Sequence, residues 1–109
     1  MAKIHPANSC ATILRVLADD TRLQVVRALA RGPMHVGEIN AGLGVEQSLL
    51  SHHLRILREH GVVEARRDGK AVLYRLSARA LSRAGGEVID LGCCRIDFTS
   101  TRRHKGGHP

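Results

Sequence analysis

Cys93 and Cys94 stand side by side in the segment Leu91-Gly92-Cys93-Cys94-Arg95-Ile96. Thiolates are soft ligands that select soft ions, and adjacent cysteines can place two sulfurs near one ion. A disulfide between neighbours would close a cramped ring, which ordinary disulfide geometry discourages. Trivalent arsenic and antimony take three sulfurs in a pyramid, so the pair suits them if a third thiol joins it. The chain has one other cysteine, Cys10. Arg95 next to the pair would lower a thiol pKa and help either metalloid binding or oxidation.

A second group of residues points to nucleic acid. In residues 45–61, VEQSLLSHHLRILREHG, helical spacing puts Gln47, Ser51, Arg55 and Arg58 on one polar stripe, with Ser48 and His52 beside it. Leu50, Leu54 and Leu57 form the opposite stripe, widened by Leu49, His53 and Ile56. A wet face of Gln, Ser, His and Arg suits a DNA major groove. Gln pairs bidentately with adenine edges, Arg with guanine edges, and Ser serves bases or phosphates. An ordinary solvated helix face is the alternative for this segment taken alone.

The neighbouring elements decide between the two. Val36 to Ala41 read as a short helix, and Gly42-Leu43-Gly44 as a tight turn, since glycine tolerates positive φ. Helix, turn and polar-faced helix make a helix-turn-helix. Downstream, residues 62–66 and 71–76 read as strands. Asp68-Gly69 between them predicts a type I′ hairpin. That hairpin carries Arg66, Arg67, Lys70 and Arg75, the charges expected of a wing reaching phosphates or the minor groove. Ahead of it, Asn8 or Ser9 caps a first helix to about Ala18, with Cys10, Ile13, Leu14 and Leu17 on an apolar stripe. Asp20 caps a second helix, with Leu23, Val26 and Leu29 inward and Gly32-Pro33 as the stop. Ser77 caps a last helix through Ala80, Leu81 and Ala84, weakened by Gly85-Gly86. From there to Phe98 the pattern fits helix or strand. The expectation is therefore α+β, mainly α: a winged helix-turn-helix of about five helices and a two-stranded wing. Residues 1–7 form a loose arm, 8–98 the domain, and 99–109 a mobile basic tail.

Composition narrows the function class. The 109 residues carry a net charge of +7, which suits a phosphate-binding surface. Residues 46–83 hold eight Lys/Arg against four Asp/Glu. Tyr74 and Phe98 are the only Tyr, Phe or Trp residues, which argues against base-stacking recognition of single strands or RNA. No apolar run reaches eighteen residues and no signal peptide is evident, so no membrane is expected. Three cysteines without a disulfide framework suggest reduced thiols in a cytoplasm.

Three stretches together resemble the ArsR/SmtB family of winged-helix repressors: Leu17-Ala18-Asp19-Asp20-Thr21-Arg22-Leu23, Ser51-His52-His53-Leu54, and Leu57-Arg58-Glu59-His60-Gly61-Val62-Val63. The resemblance covers about residues 10–81. It implies a homodimer whose first and last helices form the subunit interface, binding a palindromic double-stranded operator through successive major grooves. It implies release when an inducer binds. The family's DNA-contacting stretch falls on Gln47, Ser48, Ser51, His52 and Arg55. His53, on the inward side, reads as packed and hydrogen-bonded rather than as a base reader.

The family's metal sites differ in how well they fit. One uses cysteines at the start of the helix before the recognition helix; here that position reads Met34-His35-Val36-Gly37-Glu38, without cysteine. Another uses Asp and His on the last helix; residues 77–91 contain no histidine, and Glu87 and Asp90 do not make a tetrahedral zinc site. A site of Cys10, Cys93 and Cys94 remains, because the family packs its first and last helices together. Some arsenic-responsive members carry a similar pair with a third cysteine a few residues later, which this chain lacks. Cys10 is open to two readings, ligand or small packed hydrophobe. His104 and His108, with His5, could bind Ni(II) or Zn(II), but a solvated basic tail accounts for them better.

The expected function is a metal- or metalloid-responsive repressor with no permanently bound cofactor, induced by As(III), Sb(III) or another thiophilic ion. The same fold would also serve a thiol redox or persulfide sensor, in which Cys10 bridges one of the pair on oxidation. A thiol reductase is disfavoured, since the pair has no intervening residues and no βαβ pattern around it. No other catalytic arrangement stands out, so an enzyme is not expected.

Overall fold

Ser9 accepts from the Thr12 backbone N–H at 3.1 Å and so caps α1 (Cys10–Leu17). The computed structural model describes residues 9–78 and 80–99. The expected arm and the expected tail beyond Thr99, with His5, His104 and His108, lie outside the described residues. Within α1, Ile13, Val16 and Leu17 are buried, whereas Leu14 is 47% exposed and leaves the expected stripe. Helix α2 (Asp20–Leu29) is capped by Asp19 rather than by Asp20: the Asp19 carboxylate accepts from the Arg22 N–H at 3.0 Å. Val25, Val26 and Leu29 seal its inner face, with Leu23 packed at the margin.

Met34–His35 forms a short strand, β1, and α3 (Val36–Leu43) follows at once, two residues longer than its apolar pattern implies. Gly42 and Leu43 belong to this helix, and Gly44 alone makes the left-handed turn at φ 68°. Asn40 secures that turn twice. Its carbonyl accepts from Gly44 at 2.7 Å and its side chain from Val45 at 3.0 Å. Helix α4 (Gln47–Glu59) then buries Leu50, His53, Leu54 and Leu57 at i, i+3, i+4 and i+7. Truncating Leu54 to alanine would cost about 2–5 kcal/mol. The helix ends in a Schellman motif, with Val62 N–H on Leu57 O, Gly61 N–H on Arg58 O, and Gly61 at φ 74°. That geometry explains the His60-Gly61-Val62-Val63 run: glycine takes the left-handed position and both valines enter the core.

The wing has three strands rather than two. Strands β2 (Val63–Asp68) and β3 (Ala71–Leu76) pair antiparallel, and β1 adds to the other side of β3 in the order β1-β3-β2. Asp68 pairs with Ala71, so the loop residues are Gly69 and Lys70. Only Gly69 has positive φ, at 65°, the pattern of a II′ turn rather than the expected I′ turn.

The expected last helix is absent among the described residues. Strands β4 (Leu81–Arg83), β5 (Val88–Asp90) and β6 (Arg95–Asp97) form a second antiparallel sheet in that order. Ser77 is not a helix cap; its N–H bonds Val62 O and its hydroxyl bonds Gly61 O, closing the corner where β3 ends. Ala84, Gly85 and Gly86 all have positive φ and make a short 3₁₀ turn that reverses the chain. Gly86 approaches the end of α2 so closely that a Cβ there would lie 2.9 Å from Arg31 Cγ. The sheet side of the ambiguous segment wins because Ile89, Leu91 and Phe98 thereby join the core. The domain thus stays α+β with α-helix in the majority, but with four α-helices among the described residues and more β-structure than expected.

Candidate functional site

Two regions collect the residues with chemical potential. The first is the outer face of α4 with the wing. Gln47, Ser48, Ser51, His52, Arg55 and Arg58 are all exposed, on the side opposite Leu50, Leu54 and Leu57. Glu46 caps the helix through its carboxylate, which accepts from Ser48 N–H at 3.3 Å and Leu49 N–H at 3.2 Å. The Ser48 hydroxyl donates to the same carboxylate at 2.7 Å. These bonds hold the Glu46 carboxyl below its ordinary pKa, the Ser48 hydroxyl being the largest cause. Ser48 therefore presents oxygen lone pairs rather than a free donor. The helical pattern assigns Leu49 to the apolar side, yet it is 45% exposed. An exposed leucine on such a face offers an apolar contact for a thymine methyl group, a feature that the stripe pattern concealed.

On the wing, charges sort themselves. Glu64 accepts from Arg75 at 3.1 Å, and Asp68 is held by His35 Nε2 at 2.8 Å. Arg66, Arg67 and Lys70 are exposed, and none of them nor Arg55 is ion-paired among the described residues. The wing's acids are thus engaged internally while its remaining cations face outward. His35 also meets Glu38 through Nδ1 at 3.2 Å, so it links α3 to the wing turn. Its pKa is raised, chiefly by the Asp68 bond, against an opposing effect of desolvation, with Glu38 adding a further upward pull.

His53 sits 7% exposed beneath this face, and its Nδ1 lies 3.1 Å from the Arg22 guanidinium. The packed, hydrogen-bonded reading of His53 agrees with that position.

The second region is the thiol cluster. Leu91 N–H bonds Cys94 O at 2.8 Å, so Gly92 and Cys93 are the two-residue turn of the β5–β6 hairpin, with Gly92 at φ 89°. The Gly-X turn signal was present in the sequence but obscured by the cysteines that follow the glycine. Cys93 is exposed at the tip and Cys94 half-buried at the root of β6. Cys10, the first residue of α1, faces them. The three Sγ atoms lie within 4.8 Å of one another. In the state shown, Cys10 and Cys93 form a disulfide with Cα atoms 5.8 Å apart, and Cys94 Sγ lies 3.8 Å from Cys93 Sγ. Cys10 is therefore not a core residue; it is half-buried at the helix end. Arg95 does not stand as a free cation beside the thiols, because it engages Asp90 at 3.5 Å. Asp90 also accepts from Gly92 N–H at 2.9 Å, which is the chief reason its pKa is depressed. It pins the turn that carries Cys93.

The described helices include none long and apolar enough to cross a membrane. The profile of the bacterial regulatory protein arsR family matches residues 19–65, from the α2 cap through the first half of β2. A biofilm growth-associated repressor of Xylella fastidiosa is 42% identical over 87 residues, spanning 80% of this chain and 76% of that one. The homodimeric winged helix-turn-helix domain of Mb0332 from Mycobacterium bovis superposes with a TM-score of 0.58 at 36% identity, over 61% of each chain. A structure described as a possible transcriptional regulator for arsenical resistance superposes at 0.57 with 38% identity, over 60% of this chain and 68% of that one. The chain belongs to the arsR family of bacterial regulatory proteins.

Proposed function

We propose that the chain is an operator-binding transcriptional repressor whose affinity for DNA is set by Cys10, Cys93 and Cys94. Gln47, Ser48, Ser51, His52 and Arg55 address base edges and phosphates of a palindromic site, while Arg66, Arg67 and Lys70 of the wing reach the flanking backbone. A homodimer brings two such faces to successive major grooves.

The convergence of three sulfurs from two distant parts of the chain carries the sensing half of this reading. In the reduced state the trio offers three thiolates, the donor set that As(III) or Sb(III) takes, and a relative of this fold is described in connection with arsenical resistance. An ion held there ties the start of α1 to the tip of the β5–β6 hairpin. DNA then weakens inducer binding by the same factor as inducer weakens DNA binding, typically about 1–3 kcal/mol.

A second reading rests on the Cys10–Cys93 disulfide itself. Two-electron oxidation of those thiols by a peroxide or a persulfide makes the same tie without any metalloid. One experiment separates the two: fluorescence anisotropy of the reduced protein on DNA from upstream of its own gene, titrated with arsenite or with peroxide. Release near one arsenite per subunit, lost in Cys94→Ser, supports the metalloid sensor. Release by peroxide alone, reversed by dithiothreitol and lost in Cys10→Ser but kept in Cys94→Ser, supports the redox sensor. Loss of DNA binding in the reduced serine variants would make the cysteines structural and end both.

A further inference from the structure

We propose that a second copy of this chain pairs edge-on with β6, so that the two C-terminal sheets join across a twofold axis into one six-stranded sheet; the proposal rests on the homodimeric reading and assigns its surface. The hydrogen-bond phase of the hairpin is the starting point. Leu91 N–H to Cys94 O and Phe98 N–H to Glu87 O close bonded pairs at its two ends. Bonded and non-bonded pairs alternate in an antiparallel ladder. Ile89 and Ile96 therefore form the bonded pair between them, whereas Asp90–Arg95 and Val88–Asp97 are non-bonded pairs. The N–H and C=O groups of Arg95 and Asp97 consequently point to the open edge, since β6 is a terminal strand of its sheet.

The side chains of that edge are self-complementary. Antiparallel pairing of two copies about Ile96 sets Arg95 opposite the partner's Asp97 and Asp97 opposite the partner's Arg95. The outward backbone groups meet in the same register. Arg95 and Asp97 are both exposed and, two residues apart, share one face of the strand. Ile96, half-buried on the other face, meets its own symmetry mate. Edges protected against pairing carry prolines or like charges; this one carries opposite charges spaced to match a second copy. The last helix that the resemblance implies at the subunit interface is absent among the described residues, where β6 occupies that part of the chain. Its first residue directly follows Cys94, so a change of state at the thiols acts one residue from the paired strand.

Charge exchange tests the register. Asp97→Arg sets arginine against arginine at both positions, and Arg95→Asp sets aspartate against aspartate. Sedimentation equilibrium under constant reductant is expected to show each single variant dimerising roughly tenfold or more weakly than the parent. An equimolar mixture of the two is expected to recover dimer, because every cross-strand pair becomes complementary again, and so is the double variant Arg95→Asp/Asp97→Arg. Circular dichroism confirms folding, and Asp97→Arg leaves the Arg95–Asp90 contact in place. Single variants that dimerise like the parent would place the dimer contacts elsewhere and overturn the β6 assignment while the homodimer stands. Weakened variants that neither the mixture nor the double exchange restores would also overturn it. A monomeric parent would remove the homodimer reading together with it.

Discussion

The Arg22 guanidinium joins the base of α2 to the middle of α4: Nη1 lies 3.1 Å from His53 Nδ1, while Nε donates to the Val16 carbonyl at 2.7 Å. Arginine offers donors only, so Nδ1 is the acceptor in this contact. One side chain thereby sets the rotation of α4 against α1 and α2, and with it the direction of the exposed face.

Arg22→Met removes both bonds and leaves a carbonyl and a ring nitrogen without this partner. The expected loss is about 1–3 kcal/mol, or a fall of roughly 4–8 °C in Tm per kcal/mol for a domain of this size. Thermal denaturation followed by circular dichroism measures it. A melting temperature equal to the parent's would remove Arg22 from this role.

On the DNA side, Arg55→Ala is expected to cost about 1–3 kcal/mol of operator affinity and to relax discrimination at one base pair. Lys70→Ala, on the wing turn, should instead weaken binding to all sequences alike and reduce the salt-dependence slope by about one. Anisotropy titrations at several salt concentrations distinguish the two. Equal losses on operator and unrelated DNA for Arg55→Ala would make that residue a phosphate contact.

His35 supplies a pH dependence with a definite sign. Its pKa is raised in the folded protein by Asp68 and Glu38, so the stabilisation is complete below the unfolded value of 6.5 and is lost as pH rises through the folded value. Glu38 behaves oppositely. Its pKa is depressed, chiefly by the His35 backbone N–H, and its contribution disappears on acidification from 4.5 downward. Hydrogen exchange of the wing amides, corrected for intrinsic rates, should show protection falling as pH rises from about 6 to 8. His35→Gln should flatten that profile, whereas an unchanged slope would place the pH response elsewhere.

Local rules account for what was legible beforehand. The i, i+3, i+4, i+7 pattern of Leu50, His53, Leu54 and Leu57 needs no distant partner to specify which side of α4 turns inward. Gly61 similarly marks the helix end, because the left-handed cap suits glycine. Asp68-Gly69 located the wing turn, although the loop lies one residue later, because pairing with β3 carries the strand through Asp68. These features establish the winged helix-turn-helix and its polar face from sequence alone.

The C-terminal third was decided otherwise. Its short apolar runs suit a helix or strands equally well, and the choice falls to what they pack against. As strands they deliver Ile89, Leu91 and Phe98 to the core and let Gly86 fit against the end of α2. The same long-range packing brings Cys10 to Cys93 across a sequence separation of 83 residues. The amino-acid sequence by itself determined the helix-turn-helix, because periodicity and caps act within a few residues. Only the tertiary structure decided the second sheet and the meeting of the three thiols, because those depend on contacts that no local pattern encodes.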